Sequence, residues 1–215
     1  MEGAVAEASP PRLQTIDPGA HRVQWCLYYP AVLDPDELNL HVASDDDLDG
    51  SMAAYRAGDM VAAFDAVPPS YLPHTDRERL FLAALNLGVG RVREAEALLV
   101  ASTFTAEPEG SLTALSEALR ILIEVTRSGG QARSDSPGSL PGTVGSPSLR
   151  LAWSYAVQSE GRLEEARTIL QRLVAEHPGF ARAWARHAEL AFASGRINEA
   201  RISAEKALSL APRLA

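Results

Sequence analysis

From residue 148 onward, apolar residues fall at helical spacing in paired runs. Leu151 and Tyr155 precede a glycine, Ala166, Leu170, Leu173 and Val174 follow it, and polar residues fill the positions between. This spacing predicts two amphipathic helices joined by a tight turn, a helical hairpin. A glycine at the turn can take the left-handed backbone that ends the first helix, and the glutamates just after it favour the positive end of the second. Residues 75–103 repeat the arrangement, with Leu80, Leu82, Ala83 and Leu87 before Gly90 and Ala95, Leu98 and Leu99 after it. Residues 46–67 read as a shortened hairpin. Residues 111–126 read as an amphipathic helix through Leu112, Leu115, Leu119, Leu122 and Ile123, but the partner helix expected next is missing. In its place stands a Gly/Ser/Pro stretch that buries too little apolar surface to order itself, so a flexible loop is expected over 128–147.

The hairpins carry an internal repeat. Gly161-Arg162-Leu163-Glu164-Glu165-Ala166-Arg167 recurs as Gly195-Arg196-Ile197-Asn198-Glu199-Ala200-Arg201, an offset of 34, and Pro178 recurs at Pro212 with the same offset. A third copy is Gly90-Arg91-Val92-Arg93-Glu94-Ala95-Glu96, and Gly58-Asp59-Met60-Val61-Ala62-Ala63 is a weaker fourth. The small alanine at 95, 166 and 200 lets two helices approach closely, and the proline stops the second helix, because it has no N–H to donate and restricts the residue before it. A helix-turn-helix unit of this length and pattern resembles the tetratricopeptide repeat family. The last unit matches through Trp184, Ala188, Gly195, Ala200, Ala207 and Pro212, and departs from the pattern at His187 and Ala204; the unit before it matches through Ser154, Gly161, Ala166, Leu170 and Pro178, with Trp153 and Arg150 in unusual slots. The resemblance implies an all-α, tetratricopeptide-like helical-hairpin solenoid with an extended N-terminal segment and an interrupting flexible loop. The domain reading is 1–43 for the Pro- and aromatic-rich N-terminal segment, 44–127 for degenerate hairpins, 128–147 for the loop and 148–215 for two repeats.

Charge changes the picture only at one end. Residues 1–50 hold 10 acidic and 2 basic residues, against 18 and 18 in 51–215, so the net charge of -8 belongs to the N-terminus. The balanced remainder has no basic stripe to neutralise a row of phosphates, which argues against nucleic-acid binding. No run approaches the roughly 20 apolar residues of a membrane helix, and the start is acidic and Pro-interrupted, unlike a signal peptide, so no direct membrane insertion is expected. Residues 21–30, with Trp25, Cys26, Leu27, Tyr28, Tyr29 and Pro30, are aromatic and β-branched enough to prefer an extended chain that packs along the first hairpins. Together with the degenerate hairpins and the run from Ala183 to Leu190, this segment looks like the tetratricopeptide region of large bacterial proteins that carry a FecR-type domain ahead of it. That likeness implies an envelope-associated assembly, hence the cell envelope if the chain is an excerpt; a complete chain without a signal peptide would be cytoplasmic.

No constellation of residues supports catalysis. Asp45-Asp46-Asp47-Leu48-Asp49-Gly50 begins like a calcium loop, but its twelfth position is Arg56, a cation where a bidentate carboxylate must sit. The better reading makes Ser44 a helix cap and Asp47 the second half of a capping box. His21, His41, His74, His177 and His187 show no i, i+4 pairing, and Cys26 lies in an apolar context that suits an inert thiol. A single cysteine excludes an internal disulfide and a multi-cysteine metal site. Gly88-Val89-Gly90 lacks the strand and Lys-Ser/Thr of a phosphate loop. No metal, cofactor or enzymatic activity is expected.

Stacked hairpins curve, and the first helix of each unit lines the inner surface. The family resemblance places Leu151, Tyr155, Gln158, Arg182, Ala185, Glu189 and Phe192 on that surface. Arg182 and Arg186 match two basic positions with which some family members grip a C-terminal carboxylate, although Ala152 replaces the asparagine such a clamp needs. The expected function is a non-catalytic scaffold that binds a peptide or helix of another protein in a concave groove; the alternative is a regulatory or docking region of an enzyme whose catalytic domain lies outside this chain. Ile202, Leu208 and Leu210 on the last helix would lack a full partner surface, so either a second subunit covers that face, a homodimer through that repeat, or the chain is an excerpt from a longer array, the reading favoured here.

Overall fold

The structure is a computed structural model that describes residues 33–40, 46–101, 111–127 and 145–214. The expectations for residues 21–30, His41, Ser44 and 128–144 lie outside these residues. The described residues form ten helices and no strand: α1 (Pro35–Leu38), α2 (Asp49–Ala57), α3 (Met60–Asp65), α4 (Asp76–Gly88), α5 (Val92–Val100), α6 (Ser111–Arg127), α7 (Pro147–Ser159), α8 (Leu163–Glu176), α9 (Ala181–Ala193) and α10 (Ile197–Leu210). This is the all-α, tetratricopeptide-like solenoid of the sequence reading. Helices α2–α3, α4–α5, α7–α8 and α9–α10 pair as hairpins, and α8 packs against α9 to join the last two.

One local motif builds all four turns. Gly58, Gly90, Gly161 and Gly195 have φ of 92°, 82°, 81° and 74°, a region open to glycine at little steric cost. Each glycine N–H donates three residues back, and the next residue's N–H donates five back: Asp59 to Ala54, Arg91 to Asn86, Arg162 to Val157 and Arg196 to Ala191, at 3.0, 2.8, 3.2 and 2.8 Å. These are Schellman closures, which satisfy carbonyls that the helix end leaves free. Five residues after each glycine an alanine is buried: Ala63, Ala95, Ala166 and Ala200. The weak fourth copy is thus a full member of the series. Its Asp59, where the others carry arginine, caps α3 by accepting from the Ala62 N–H.

Helices α1, α3, α4 and α7 carry side-chain caps, whereas α5, α8, α9 and α10 start without one. Thr75 and Glu78 form a reciprocal capping box on α4, and Ser146 caps α7 with Pro147 in its first turn. Helix α2 differs from expectation. It begins at Asp49 after a 3-10 turn, Asp46–Leu48, and no side chain caps it at Leu48. Asp47 therefore stands in that tighter turn, not at the third position of a helix capped by Ser44. Arg56, the residue that defeats a calcium loop, pairs with Asp36 at 2.8 Å.

The long helix α6 is not left without a partner. It packs along α7 across the intervening residues and also touches α4 and α5. Leu115, Ala118 and Leu119 are fully buried. Sequence proximity suggested a second helix immediately after α6; packing supplies one 20 residues later. A single apolar core runs from Leu33 and Leu38 through Tyr55, Phe81, Leu85, Leu119, Leu151 and Leu170 to Leu190. Among the described residues, the last helix is covered on one side only. Val174 of α8 is 5% exposed beneath α9, whereas its repeat counterpart Leu208 is 49% exposed.

Candidate protein-interaction surface

The first helices α7 and α9 bring the predicted site residues into one layer, where they divide into two sets. At the N-terminal ends, Leu151 and Arg182 are buried. The Arg182 guanidinium lies 3.8 Å over the ring of Tyr55 on α2, and its Nη2 donates to the Tyr55 carbonyl oxygen at 2.9 Å. Tyr55 is itself held edge-on against Phe81 and donates its hydroxyl to the Leu33 carbonyl at 2.8 Å. The chain's own first hairpin therefore covers Arg182. A cation stacked on an aromatic face in a dry site gains more than at a wet surface. That gain offsets the burial of Arg182, whose Nε has no hydrogen-bond partner.

At the C-terminal ends the layer opens. Arg186 stacks on Tyr155 at 3.7 Å, donates to Glu189 at 2.7 Å and donates to the Gln158 side-chain oxygen. Tyr155 and Arg186 are buried, Gln158, Ala185 and Glu189 are half-buried, and Phe192 is 65% exposed. Burial pushes the Glu189 carboxyl above the usual carboxylate range, and Arg186 pulls it back. The Glu189 Oε1 atom is buried with no hydrogen-bond partner. The result is a half-open polar cluster with an exposed aromatic at its edge.

Beneath this layer, His187 sits between α9 and α10. Its Nδ1 is 2.9 Å from the Ser203 hydroxyl, and its Nε2 faces Glu199 Oε1 at 3.2 Å without hydrogen-bond alignment. The serine is buried, so this Ser-His-Glu grouping has no access to a substrate and serves packing. No group of three or more metal-ligating side chains occurs among the described residues, and no helix among them is long and apolar enough to cross a membrane.

Residues 158–213 match the family model described as tetratricopeptide repeat. This segment is a tetratricopeptide repeat. It contains Gln158, the turns at Gly161 and Gly195, and every predicted site residue on α9. The match does not extend to the N-terminal segment that carries the FecR-type likeness. Neither a curated protein nor a solved structure matches the chain.

Sequence reasoning did not find Tyr55, Met60, Glu37 and Ser148 as neighbours of this surface. Arg182 and Tyr55 are 127 positions apart, and no periodicity within a repeat encodes such a contact. The nearest signal is the Arg182 position itself, a cation on a surface that the repeat pattern assigns to the interior layer.

Proposed function

We propose that this chain is a non-catalytic protein-interaction module that receives a peptide or helix of another protein on the inner layer of its tetratricopeptide repeats. Repeats of this family mediate protein–protein contacts in general, and the observation that supports a contact here is the open end of the α7–α9 layer. There Phe192 offers an exposed aromatic side chain, of a kind enriched at interfaces, beside Gln158, Ala185 and Glu189. The buried Arg186 orients Glu189 and Gln158 from below. The Arg182 end contributes only when the hairpin that covers it is absent.

Affinity capture from extracts tests the reading. Phe192→Glu and Ala185→Arg change exposed or half-exposed positions and should leave the fold intact. A specific partner should be recovered with the wild-type chain and lost with either variant, while Leu208→Glu on α10 retains it. Recovery of the same partners by all four proteins would refute the assignment. Leu208 and the 57%-exposed Ile202 are where a homodimer through α10 would form, and concentration-dependent sedimentation of wild type against Leu208→Glu checks it.

A further inference from the structure

The open side of α10 carries a departure from the repeat pattern that the fold leaves unused. On α8, which packs against α9, Arg167, Leu170 and Val174 are buried. Their counterparts 34 positions on are Arg201, Ala204 and Leu208. Arg201 and Leu208 are exposed, and Ala204 is half-buried. Ala204 thus stands where α8 has a leucine and where the repeat pattern has a large apolar residue. A first helix seated on α10 as α9 sits on α8 would miss the side chain that fills the middle of the seam, and a void at such a place forfeits its packing contacts. The described residues after α10 run to the first hairpin instead: the Arg213 N–H donates to the Ala57 carbonyl at 2.9 Å, and Arg213 pairs with Asp59 at 3.5 Å.

What α10 presents on this side is a stripe complementary to itself. Ile197, Arg201, Ala204, Glu205 and Leu208 stand at i, i+4, i+7, i+8 and i+11, one face of a helix. An apolar residue closes each end, 57% exposed at Ile197 and 49% at Leu208. Between them a cation and an anion flank the alanine; the Arg201 and Glu205 side chains, 63% and 61% exposed, pair with each other at 2.5 Å. A two-fold contact between identical chains needs a patch that matches its own rotated image. We propose that α10 packs antiparallel on α10 of a second copy of this chain. With the axis passing between Arg201 and Glu205, Arg201 of each copy meets Glu205 of the other, and Leu208 of each covers the Ile197 end of the other. The two small alanines beside the axis let the helices approach closely. The inference rests on the reading of α10 as a self-association face and gives that homodimer its register; it uses none of the residues at the Phe192 end. One helix pair buries less than the roughly 1,200 Å² of a standard interface, so the dimer should be weak, with a dissociation constant on the order of 10 μM.

Charge exchange tests the register on the full chain. Arg201→Glu leaves carboxylates facing carboxylates across the axis, and Glu205→Arg leaves cations facing cations. In sedimentation velocity over a concentration series, wild type should pass from monomer to dimer, and each single variant should associate at least about tenfold more weakly. An equimolar mixture of the two variants should recover the dimer, because the new carboxylate of one chain then faces the new guanidinium of the other and the two native residues face each other likewise. The double variant Arg201→Glu/Glu205→Arg should recover it alone. Both positions are exposed, so the variants keep the fold, which circular dichroism checks. Mixing does not restore the Arg201–Glu205 pair within either helix, so recovery in the mixture reports a contact between chains. A wild type that dimerises while the mixture stays monomeric, or single variants that dimerise as wild type does, would overturn this register and leave a homodimer of another geometry. A wild type that stays monomeric up to about 1 mM, two decades above the expected constant, would overturn the register and the self-association reading together.

Discussion

Arg182 and Arg186 lie one helical turn apart on α9, each stacked on a tyrosine ring, at 3.8 and 3.7 Å. The tyrosines come from different places. Tyr155 belongs to the neighbouring repeat, so the Arg186 stack repeats a local relation between adjacent first helices. Tyr55 belongs to the first hairpin, so the Arg182 stack closes the chain on itself. Side chains of one type on one helix face can thus serve two purposes: one end of the layer is fixed by nearest-neighbour stacking, and the other is occupied by a distant segment. Nearest-neighbour relations are what repeat arrays are built from. A long-range contact that interrupts them marks the place where this molecule departs from a simple array.

The largest expected effect separates the closed end from the open one. Tyr55 is fully buried between Phe81 and Arg182, and Phe192 is 65% exposed. Replacing Tyr55 by alanine removes a packed ring and the aromatic face beneath a buried cation, and should lower unfolding free energy by about 3–5 kcal/mol, the range for large buried aromatics. Phe192→Ala should stay within about 0.5 kcal/mol. Urea denaturation of the two variants measures both. Similar losses would mean that the two ends of the layer are equally packed, and the comparison would collapse.

The next effect sharpens the open end. Arg186 and Glu189 form a pair whose side chains are 6% and 14% exposed, and Glu189 already has one oxygen unmatched. Arg186→Met leaves a nearly buried carboxylate without its cation, a change that costs about 3 kcal/mol in comparable buried pairs. Adding Glu189→Leu should restore most of that loss, because the stranded charge is gone. A double-mutant cycle reads the coupling directly. If Arg186→Met alone costs less than about 1 kcal/mol, the pair is solvated and Glu189 is simply a surface residue.

The parts of the fold legible from residue order were those set by local chemistry. The glycine turns, the buried alanine five positions on and the proline stops are all encoded within a few residues, which is why the repeats at 161 and 195, and the weaker one at 58, could be found without a structure. What could not be read were relations between segments. Helix α6 looked unpaired because its partner α7 begins 20 residues later, and α2 starts at Asp49 because a 3-10 turn intervenes. The site residues were legible as members of one layer, since repeat phase assigns a helix face. Their burial was not, because the cover over Arg182 comes from residues whose own pattern describes only another short hairpin.

The smallest effect tests the joint under the layer and depends on pH. His187 departs from the family pattern, which favours an aliphatic residue there. It faces Glu199 from α10 and Arg167 from α8, with Ser203 on its other nitrogen and Trp184 edge-on. Burial holds its pKa below the ordinary histidine value; Glu199 opposes the shift and Arg167 adds to it. As pH falls through about 6.5 the unfolded chain takes up the proton first. Stability from the neutral ring is therefore complete above that pH and is lost progressively as pH drops toward the folded value. The raised carboxyls of Asp34, Glu37 and Glu189 act in the opposite sense, binding protons more readily folded than unfolded. Only a difference between variants isolates the histidine. His187→Gln keeps a polar group for Ser203 and cannot titrate, so its melting midpoint relative to wild type should rise by a few degrees between pH 7.5 and 5. A constant difference across that range would mean that His187 is protonated alike in both states, and that Glu199 offsets burial at the α9–α10 joint.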